Sequence, residues 1–140
     1  MKEITEIFKL LSDESRLRIL MLLEKSELCV CQIMGVLNMS QPLVSRNLSL
    51  LAKAGFLSGR REGKLMFYRI KRNLTKKNLL ILSVLKELLK DDRVLLKDFR
   101  SLKECEEFQK KTGKCDMETF KAFMKQKIRK RSGRKNDEVM

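Results

Sequence analysis

The apolar residues at the start of the chain recur at intervals of three and four, which is the period of an amphipathic helix. Two such helices are predicted: Ile4, Ile7, Phe8 and Leu11 recur at helical spacing in the first, and the apolar face of the second is Leu17, Leu20, Met21 and Leu23. Asp13 stands just before the second helix and can cap it. A short extended segment, Leu28-Cys29-Val30, leads into a third, short helix that ends near Leu37.

A tight turn and a capped helix are predicted next. Asn38-Met39 has the composition of a turn, and Ser40 can cap a fourth helix whose first turn holds Pro42, where the missing N–H costs little. The residues expected on its buried side are Leu43, Val44, Leu48, Leu50 and Leu51, and Gly55 predicts its end. A short helix, a tight turn and a longer helix form a helix-turn-helix, whose second helix enters the major groove of DNA.

Two strand-like runs follow, over residues 56–61 and 64–71, and Glu62-Gly63 joins them into a hairpin with a charged tip. A last helix is predicted over 75–90, and its apolar residues cover more than one stripe. A helix that is apolar on several sides must be buried on several sides, which in so small a domain indicates burial against another subunit. The predicted fold is therefore mainly α with a β-hairpin wing, a winged helix-turn-helix that forms a homodimer.

Two regions are predicted along the chain. Residues 1–90 form the winged helix-turn-helix domain, which binds DNA and dimerises, and residues 91–140 form a helical C-terminal extension. The extension is expected to end in a basic, disordered tail that is rich in Lys and Arg over 127–135. Extra contacts with phosphates are one interpretation of the tail, and the sequence assigns the extension no definite function.

The charge of the chain narrows the choice of partners. With 32 Lys and Arg against 18 Asp and Glu, the formal net charge is +14, which favours a polyanion such as nucleic acid or an acidic membrane surface. The chain has no histidine, no glycine-rich phosphate loop and no paired carboxylates beside a nucleophile, so an enzyme is not expected. No secretory signal and no apolar run of about 18 residues is recognisable, so a cytoplasmic location without a membrane partner is expected.

Polar side chains of the fourth helix and of the hairpin are the candidate DNA contacts. Gln and Asn suit adenine, Arg suits guanine and Ser suits either base, while hairpin cations can lie along the phosphate backbone or in the minor groove. The ordinary alternative is a solvated helix face and a solvated hairpin tip. The candidate DNA-binding residues are Ser40, Gln41, Ser45, Arg46 and Asn47 in the helix and Arg60, Arg61 and Lys64 in the hairpin.

Four cysteines without a secretory signal indicate metal ligands, redox groups or core residues rather than disulfides. Cys29 and Cys31 stand at i and i+2, positions that share a face only where the backbone is extended, so both thiols can grip one ion if the start of the third helix is unwound. Soft thiolates select soft metals and metalloids. Burial in the core is the ordinary alternative, and the spacing to Cys105 and Cys115 does not match a zinc ribbon.

Five segments of the chain resemble the ArsR/SmtB family of bacterial metal-sensing repressors, and within it the arsenical-resistance operon repressors. The resemblance covers about residues 1–90, in the order and spacing of the family. Its most specific part is ELCVC at 27–31 followed by SQPLVSR at 40–46. The other segments are DESRLRIL at 13–20, LAKAGFL at 51–57, and RREGK at 60–64 with Tyr68-Arg69 beyond it.

The resemblance implies a winged-helix homodimer with the first and last helices of the domain at the dimer interface. It implies a repressor that binds near-palindromic, double-stranded operator DNA with no cofactor required, and that releases the DNA when trivalent arsenic or antimony binds cysteine thiolates. By the same resemblance, Cys29 and Cys31 are the inducer ligands, and Gln41, Ser45 and Arg46 read DNA.

The chain departs from the family pattern at two positions. Many relatives have His where Asn47 stands, and the best-studied pattern has a third cysteine where Met34 stands. A trivalent metalloid favours three thiolate ligands, and Cys29 and Cys31 supply only two. The third ligand is Cys105, Cys115 or an exogenous small thiol, or the third position has no thiolate. Two alternatives stay open: a winged-helix regulator whose cysteines sense redox state, and a non-regulatory basic module that coats DNA.

Overall fold

The computed structural model describes residues 1–112, together with residues 122–123, 125–126 and 129. The predictions for Cys115 and for nearly all of the basic tail lie outside these residues. In chain order the elements are α1 (Lys2–Leu11), α2 (Glu14–Lys25), β1 (Leu28–Cys29), α3 (Val30–Leu37), α4 (Gln41–Lys53), β2 (Leu57–Glu62), β3 (Leu65–Ile70), α5 (Lys76–Leu88) and α6 (Arg93–Thr112).

Local capping sets the boundaries of the helix-turn-helix formed by α3 and α4. Asn38 ends α3 in the left-handed conformation, with a φ of 56° that asparagine tolerates. Ser40 accepts a hydrogen bond from the backbone N–H of Leu43 at 3.4 Å, and Asp13 caps α2 in the same way. Gly55, with a φ of 87°, follows the end of α4. The predicted turn and both caps are therefore confirmed.

The inner face of α4 packs into the core. Its buried residues are Val44, Asn47, Leu48 and Leu51, which follow the helical spacing i, i+3, i+4 and i+7. Leu43 lies one position off this stripe, and 40% of its surface is exposed. The prediction that Leu43 supplies part of the buried side is therefore wrong, because position 44 takes the first inward place on the helix.

The three strands form one antiparallel sheet in the order β1-β3-β2. In β3, Phe67 pairs with Cys29 of β1 on one side and with Arg60 of β2 on the other. The hairpin turn consists of Gly63 and Lys64, one residue later than the sequence predicted, since Glu62 is still paired with β3. Gly63 takes a φ of 61°, a left-handed conformation that suits glycine in a two-residue hairpin turn. The short strand β1, which ends at Cys29, thus extends the two-stranded wing by a third strand.

Helix α6 packs against α2 and α3, although it begins beyond the predicted domain boundary at residue 90. Its inward residues Leu95, Leu102 and Cys105 belong to the same hydrophobic cluster as the core of the first 90 residues. Asp98 is 3% exposed and pairs with Arg18 of α2. No helix in the described part of the chain, including the 20 residues of α6, is apolar enough to span a membrane. The boundary at residue 90 stays a prediction.

Helices α1 and α5 present an exposed apolar face on which none of the described residues packs closely. Between 52% and 74% of the surface of each of its members is exposed, and these members are Phe8 of α1 and Leu79, Leu80, Val84 and Leu88 of α5. On the opposite side, Leu82 is buried, and the Asn78 amide donates to the carbonyl of Ala54 at 3.0 Å. This helix is therefore apolar both toward its own core and toward the outside, as the sequence predicted.

Candidate nucleic-acid and thiol site

The N-terminal half of α4 presents a polar, exposed face. Ser40, Gln41, Ser45 and Arg46 are all exposed, since the helix buries the opposite face in the core. These four side chains lie at and just after the helix N-terminus, where backbone N–H groups can also bind a phosphate. The structure therefore leaves four of the five predicted helix residues accessible to DNA.

Asn47 is the exception among the predicted helix contacts. It occupies an inward position of α4 and is only 2% exposed. Its side-chain oxygen accepts a hydrogen bond from the guanidinium of Arg16, at 3.3 Å. In this conformation the side chain joins α4 to α2 and does not reach the surface that a base edge would approach. The sequence contained a signal for this burial, because position 47 lies one turn before Leu51 on the apolar stripe of α4.

Leu43 is a further candidate DNA contact that was not among the residues predicted from the sequence. It lies on the exposed side of α4 between Gln41 and Ser45, and its apolar side chain is suited to the methyl group of thymine. The signal was available in the sequence, because the residue lies off the i, i+3, i+4 stripe defined by Val44 and Leu48.

The wing carries the predicted cations on its exposed surface. Arg60 donates to Glu27 at 2.6 Å and to Glu62 at 2.9 Å, and its guanidinium lies 4.7 Å from the centre of the Phe67 ring. The hydrogen bond from Arg60 lowers the pKa of the Glu27 carboxyl, and the nearby arginines add to the effect. Arg60 is thus positioned by acidic neighbours. Arg61 and Lys64 are exposed near the tip.

The cysteine pair lies where β1 becomes α3. Cys29 ends β1 and is the N-cap of α3 in an extended conformation, with φ −83° and ψ 163°, and none of its surface is exposed. Its sulfur faces the backbone N–H of Gln32, while Oε1 of Gln32 accepts from the N–H of Cys29 at 2.8 Å. Cys31 lies in the first turn of α3 and is half-buried. Cys29 is extended, but Val30 and Cys31 already belong to α3, so both thiols face one ion only if the first turn of α3 unwinds.

One cleft joins the thiols to the exposed polar face of α4. Its volume is about 490 Å³, and both cysteines line it together with Gln41 and Ser45 of α4 and Lys64 of the wing. Met34, at the position of the third family cysteine, also lines it. The arrangement places two thiols, two candidate base-reading side chains and one wing cation around a single space.

The third thiol in the described part of the chain lies elsewhere. Cys105 is 4% exposed on the inward face of α6, and it does not line the cleft. Among the residues that the structure describes, no three His, Cys, Asp or Glu side chains are grouped so as to hold a metal ion. Cys105 is therefore not placed with Cys29 and Cys31 in this structure. Two thiols in one cleft are ligands of the type that soft metals and metalloids select.

The fold and this site define a winged helix-turn-helix protein, and comparison with solved structures agrees. The transcriptional repressor BigR from Xylella fastidiosa superposes with a TM-score of 0.56 at 25% identity, covering 66% of this chain and 88% of BigR. The homodimeric winged helix-turn-helix domain of Mb0332 from Mycobacterium bovis gives a TM-score of 0.54 at 26% identity, covering 66% of this chain and 82% of that one. The predicted fold class is confirmed.

Comparison of sequences gives the family. The profile described as bacterial regulatory protein, arsR family, matches residues 13–58. A helix-turn-helix transcriptional regulator of Methanocaldococcus jannaschii, MJ1325, is 47% identical over 66 residues, which are 46% of this chain and 74% of the relative. The arsenical resistance operon repressor of Escherichia coli K12 is 48% identical over 66 residues, which are 46% of this chain and 56% of the relative.

The chain belongs to the arsR family of bacterial regulatory proteins, as the resemblance predicted. The family and the named relatives are transcriptional regulators, in agreement with the expectation that the chain is not an enzyme. The aligned segments span about half the length of the arsenical-resistance relatives, 56% and 57% in two of them. The arsenic response of those relatives is therefore only proposed for this chain.

Proposed function

We propose that the protein is a cytoplasmic transcriptional repressor that binds operator DNA as a homodimer and releases it when arsenite or antimonite binds Cys29 and Cys31. The observation that carries this proposal is the shared cleft, in which both thiols lie beside Gln41 and Ser45. The named relatives that are arsenic-resistance regulators support the choice of inducer.

The base-reading face consists of Gln41, Leu43, Ser45 and Arg46. Ser40 and the backbone at the start of α4 bind phosphate, and Arg61 and Lys64 of the wing reach the flanking backbone. The net charge of +14 adds a general attraction to DNA that weakens with salt. Asn47 contributes through the packing of α4 on α2, not through a base contact. No cofactor is needed for DNA binding in this scheme.

Dimerisation uses the apolar face of α1 and α5. Two recognition helices can occupy successive major grooves only if they are about 34 Å apart, so a defined dimer is a condition for operator binding. Phe8 and Leu88 are 59% and 74% exposed in the single chain, which is unfavourable unless a second copy covers them. The homodimeric state named for Mb0332 supports this arrangement.

Release follows from the position of the thiols. Each thiol that binds arsenite replaces one hydroxyl on the arsenic, and the thiol proton leaves with that hydroxyl as water. Cys29 is both a ligand and the N-cap of α3. Drawing Cys29 and Cys31 together changes the start of α3 and the walls of the cleft, which include the base-reading side chains of α4. The inducer must bind the DNA-free form more tightly, by a coupling free energy of typically ~1–3 kcal/mol. The third sulfur comes from a small external thiol.

The test is a DNA-release titration with arsenite on the full chain. The duplex carries the region upstream of the protein's own gene, and the variants are Cys29→Ser, Cys31→Ser and, as a matched control, Cys105→Ser. We expect arsenite to release the wild type and Cys105→Ser, while the first two variants stay bound. Wild-type binding that arsenite does not change would contradict the proposal. A loss of response in Cys105→Ser would instead move the third ligand to α6.

Two other functions give different outcomes in the same assay. A redox regulator would lose DNA with peroxide but not with arsenite, because Cys29 and Cys31 would then be oxidised rather than bound. A DNA-coating module would bind unrelated duplexes with the same affinity. The cleft favours an arsenite-responsive repressor over a DNA-coating module, since a coating protein needs no thiols beside its recognition helix.

A further inference from the structure

Helix α6 is hydrogen bonded to both ends of the thiol-bearing helix α3. Near the end of α3, the Ser101 hydroxyl donates to the carbonyl of Val36 at 3.1 Å. At the start of α3, Nε2 of Gln32 donates to Oε1 of Gln109 at 2.8 Å. The second contact is the important one, because Gln32 is the residue that caps the backbone of Cys29.

A chain of two hydrogen bonds therefore leads from α6 to the cysteine site. The N–H of Cys29 can only donate, so the side-chain oxygen of Gln32 must face it, and the amide nitrogen of Gln32 must then find an acceptor. Gln109 supplies that acceptor. The orientation in which Gln32 caps Cys29 is thus fixed by Gln109, 77 positions from Gln32 in the sequence.

Cys29 borders the cleft but has no exposed surface, so an ion that enters the cleft reaches its sulfur only after this segment opens locally. Any contact that stabilises the closed segment raises the ligand concentration needed to bind. We propose that Gln109 is a positioning residue that holds the Cys29 segment closed through Gln32, so that α6 sets the inducer concentration at which the protein responds. This inference rests on the proposed function and assigns α6 a regulatory role within it.

The defining variant is Gln109→Ala in the full chain. A net intramolecular hydrogen bond corresponds to a factor of about two to ten in an opening equilibrium. We expect the arsenite concentration for half-release of DNA to fall by that factor, while DNA affinity without arsenite stays within about twofold of the wild type. A variant that merely loosened the fold would lose DNA affinity instead.

Three further variants isolate the contact. Gln109→Glu keeps an acceptor oxygen for Gln32 and should restore the wild-type response. Lys110→Ala removes an exposed neighbour on α6 and should change nothing. Ser101→Ala breaks the other link between α6 and α3 and should leave the Cys29 segment as closed as in the wild type. If Ser101→Ala sensitises the protein as much as Gln109→Ala, general docking of α6 is responsible and the proposal is overturned.

A second measurement needs no inducer and separates this inference from the proposed function. Hydrogen exchange of the Cys29 amide, followed by NMR, should accelerate about two- to tenfold in Gln109→Ala, while the amide of Leu48 in the core exchanges as in the wild type. An unchanged Cys29 rate overturns the inference, whatever arsenite does. An accelerated rate in a protein whose wild type ignores arsenite refutes the proposed function and leaves the closed segment established.

Discussion

The ion pair formed by Arg18 of α2 and Asp98 of α6 gives a direct test of what holds α6 against the rest of the fold. Nε and one terminal nitrogen of Arg18 each lie 2.9 Å from a different oxygen of Asp98, and the same guanidinium reaches the carbonyl of Leu37 at 3.4 Å. The hydrogen bond to Asp98 raises the pKa of Arg18, which favours the charged guanidinium. The perturbation is Asp98→Ala, which leaves the guanidinium without its carboxylate.

The expected cost follows from the burial of the two side chains. Removing one partner of a fully buried pair costs about 3–5 kcal/mol, and an exposed pair is worth about 0–1 kcal/mol. The Asp98 side chain is 4% exposed and that of Arg18 is 24% exposed, so the site lies nearer the buried limit. We expect Asp98→Ala to lower the free energy of unfolding by about 2–3 kcal/mol. For a chain of this size that loss lowers Tm by roughly 6–12 °C.

The assay is urea denaturation at one fixed protein concentration, because the stability of a dimer depends on concentration. Asp98→Ala, Arg18→Ala and the double variant form a thermodynamic cycle, and Glu107→Ala, an exposed carboxylate on α6, serves as the control. The control should stay within about 0.5 kcal/mol of the wild type. A coupling energy in the cycle below about 0.5 kcal/mol would show that the pair does not hold α6 in place.

Three further predictions concern the dimer, the wing and the recognition helix. Leu88→Glu places a charge on the exposed face of α5 and should convert the proposed dimer to monomer with loss of operator binding, as measured by sedimentation and DNA titration. Because Arg60 lowers the pKa of Glu27 below its ordinary 4.5, the pair stabilises the fold above that pH, and its contribution is lost as the pH falls through the lowered value. The stability difference between the wild type and Glu27→Gln should therefore be present at about pH 7 and shrink toward about pH 3; a constant difference would argue against the ion pair. Asn47→Ala should reduce stability by about 1–2 kcal/mol, since it strips the Arg16 guanidinium of an acceptor, while the ranking of operator sequences stays that of the wild type; a changed ranking would place Asn47 at a base.

The order of the elements and the caps could be predicted from local pattern alone. Asp13, Ser40 and Gly55 act within a few residues of their own position, so the chain sequence carries the whole cause. The same holds for the apolar surplus of α5, which predicted an uncovered face before any packing was known. The resemblance carried by ELCVC and SQPLVSR supplied the family and the candidate ligands.

The faces of α4 were harder to assign from composition than from spacing. Asn47 and Leu43 exchanged the roles that their chemistry suggested, because the i, i+3, i+4 stripe places position 47 inside and position 43 outside whatever residue stands there. In the core, the side-chain oxygen of Asn47 accepts a hydrogen bond from Arg16 of α2, a partner 31 positions away. Local sequence does not encode such a meeting.

The sequence by itself determined the helices, the wing, the charge and the identity of the two thiols, since each depends on neighbouring residues or on residue type. Only the tertiary structure decided which groups share a space. It brought Cys29 and Cys31 to the cleft beside Gln41 and Ser45, left Cys105 outside that cleft, and joined Gln109 to Gln32. The reason is physical: these relationships arise from packing between elements that are distant in the chain, and hydrophobic burial that drives such packing is non-directional.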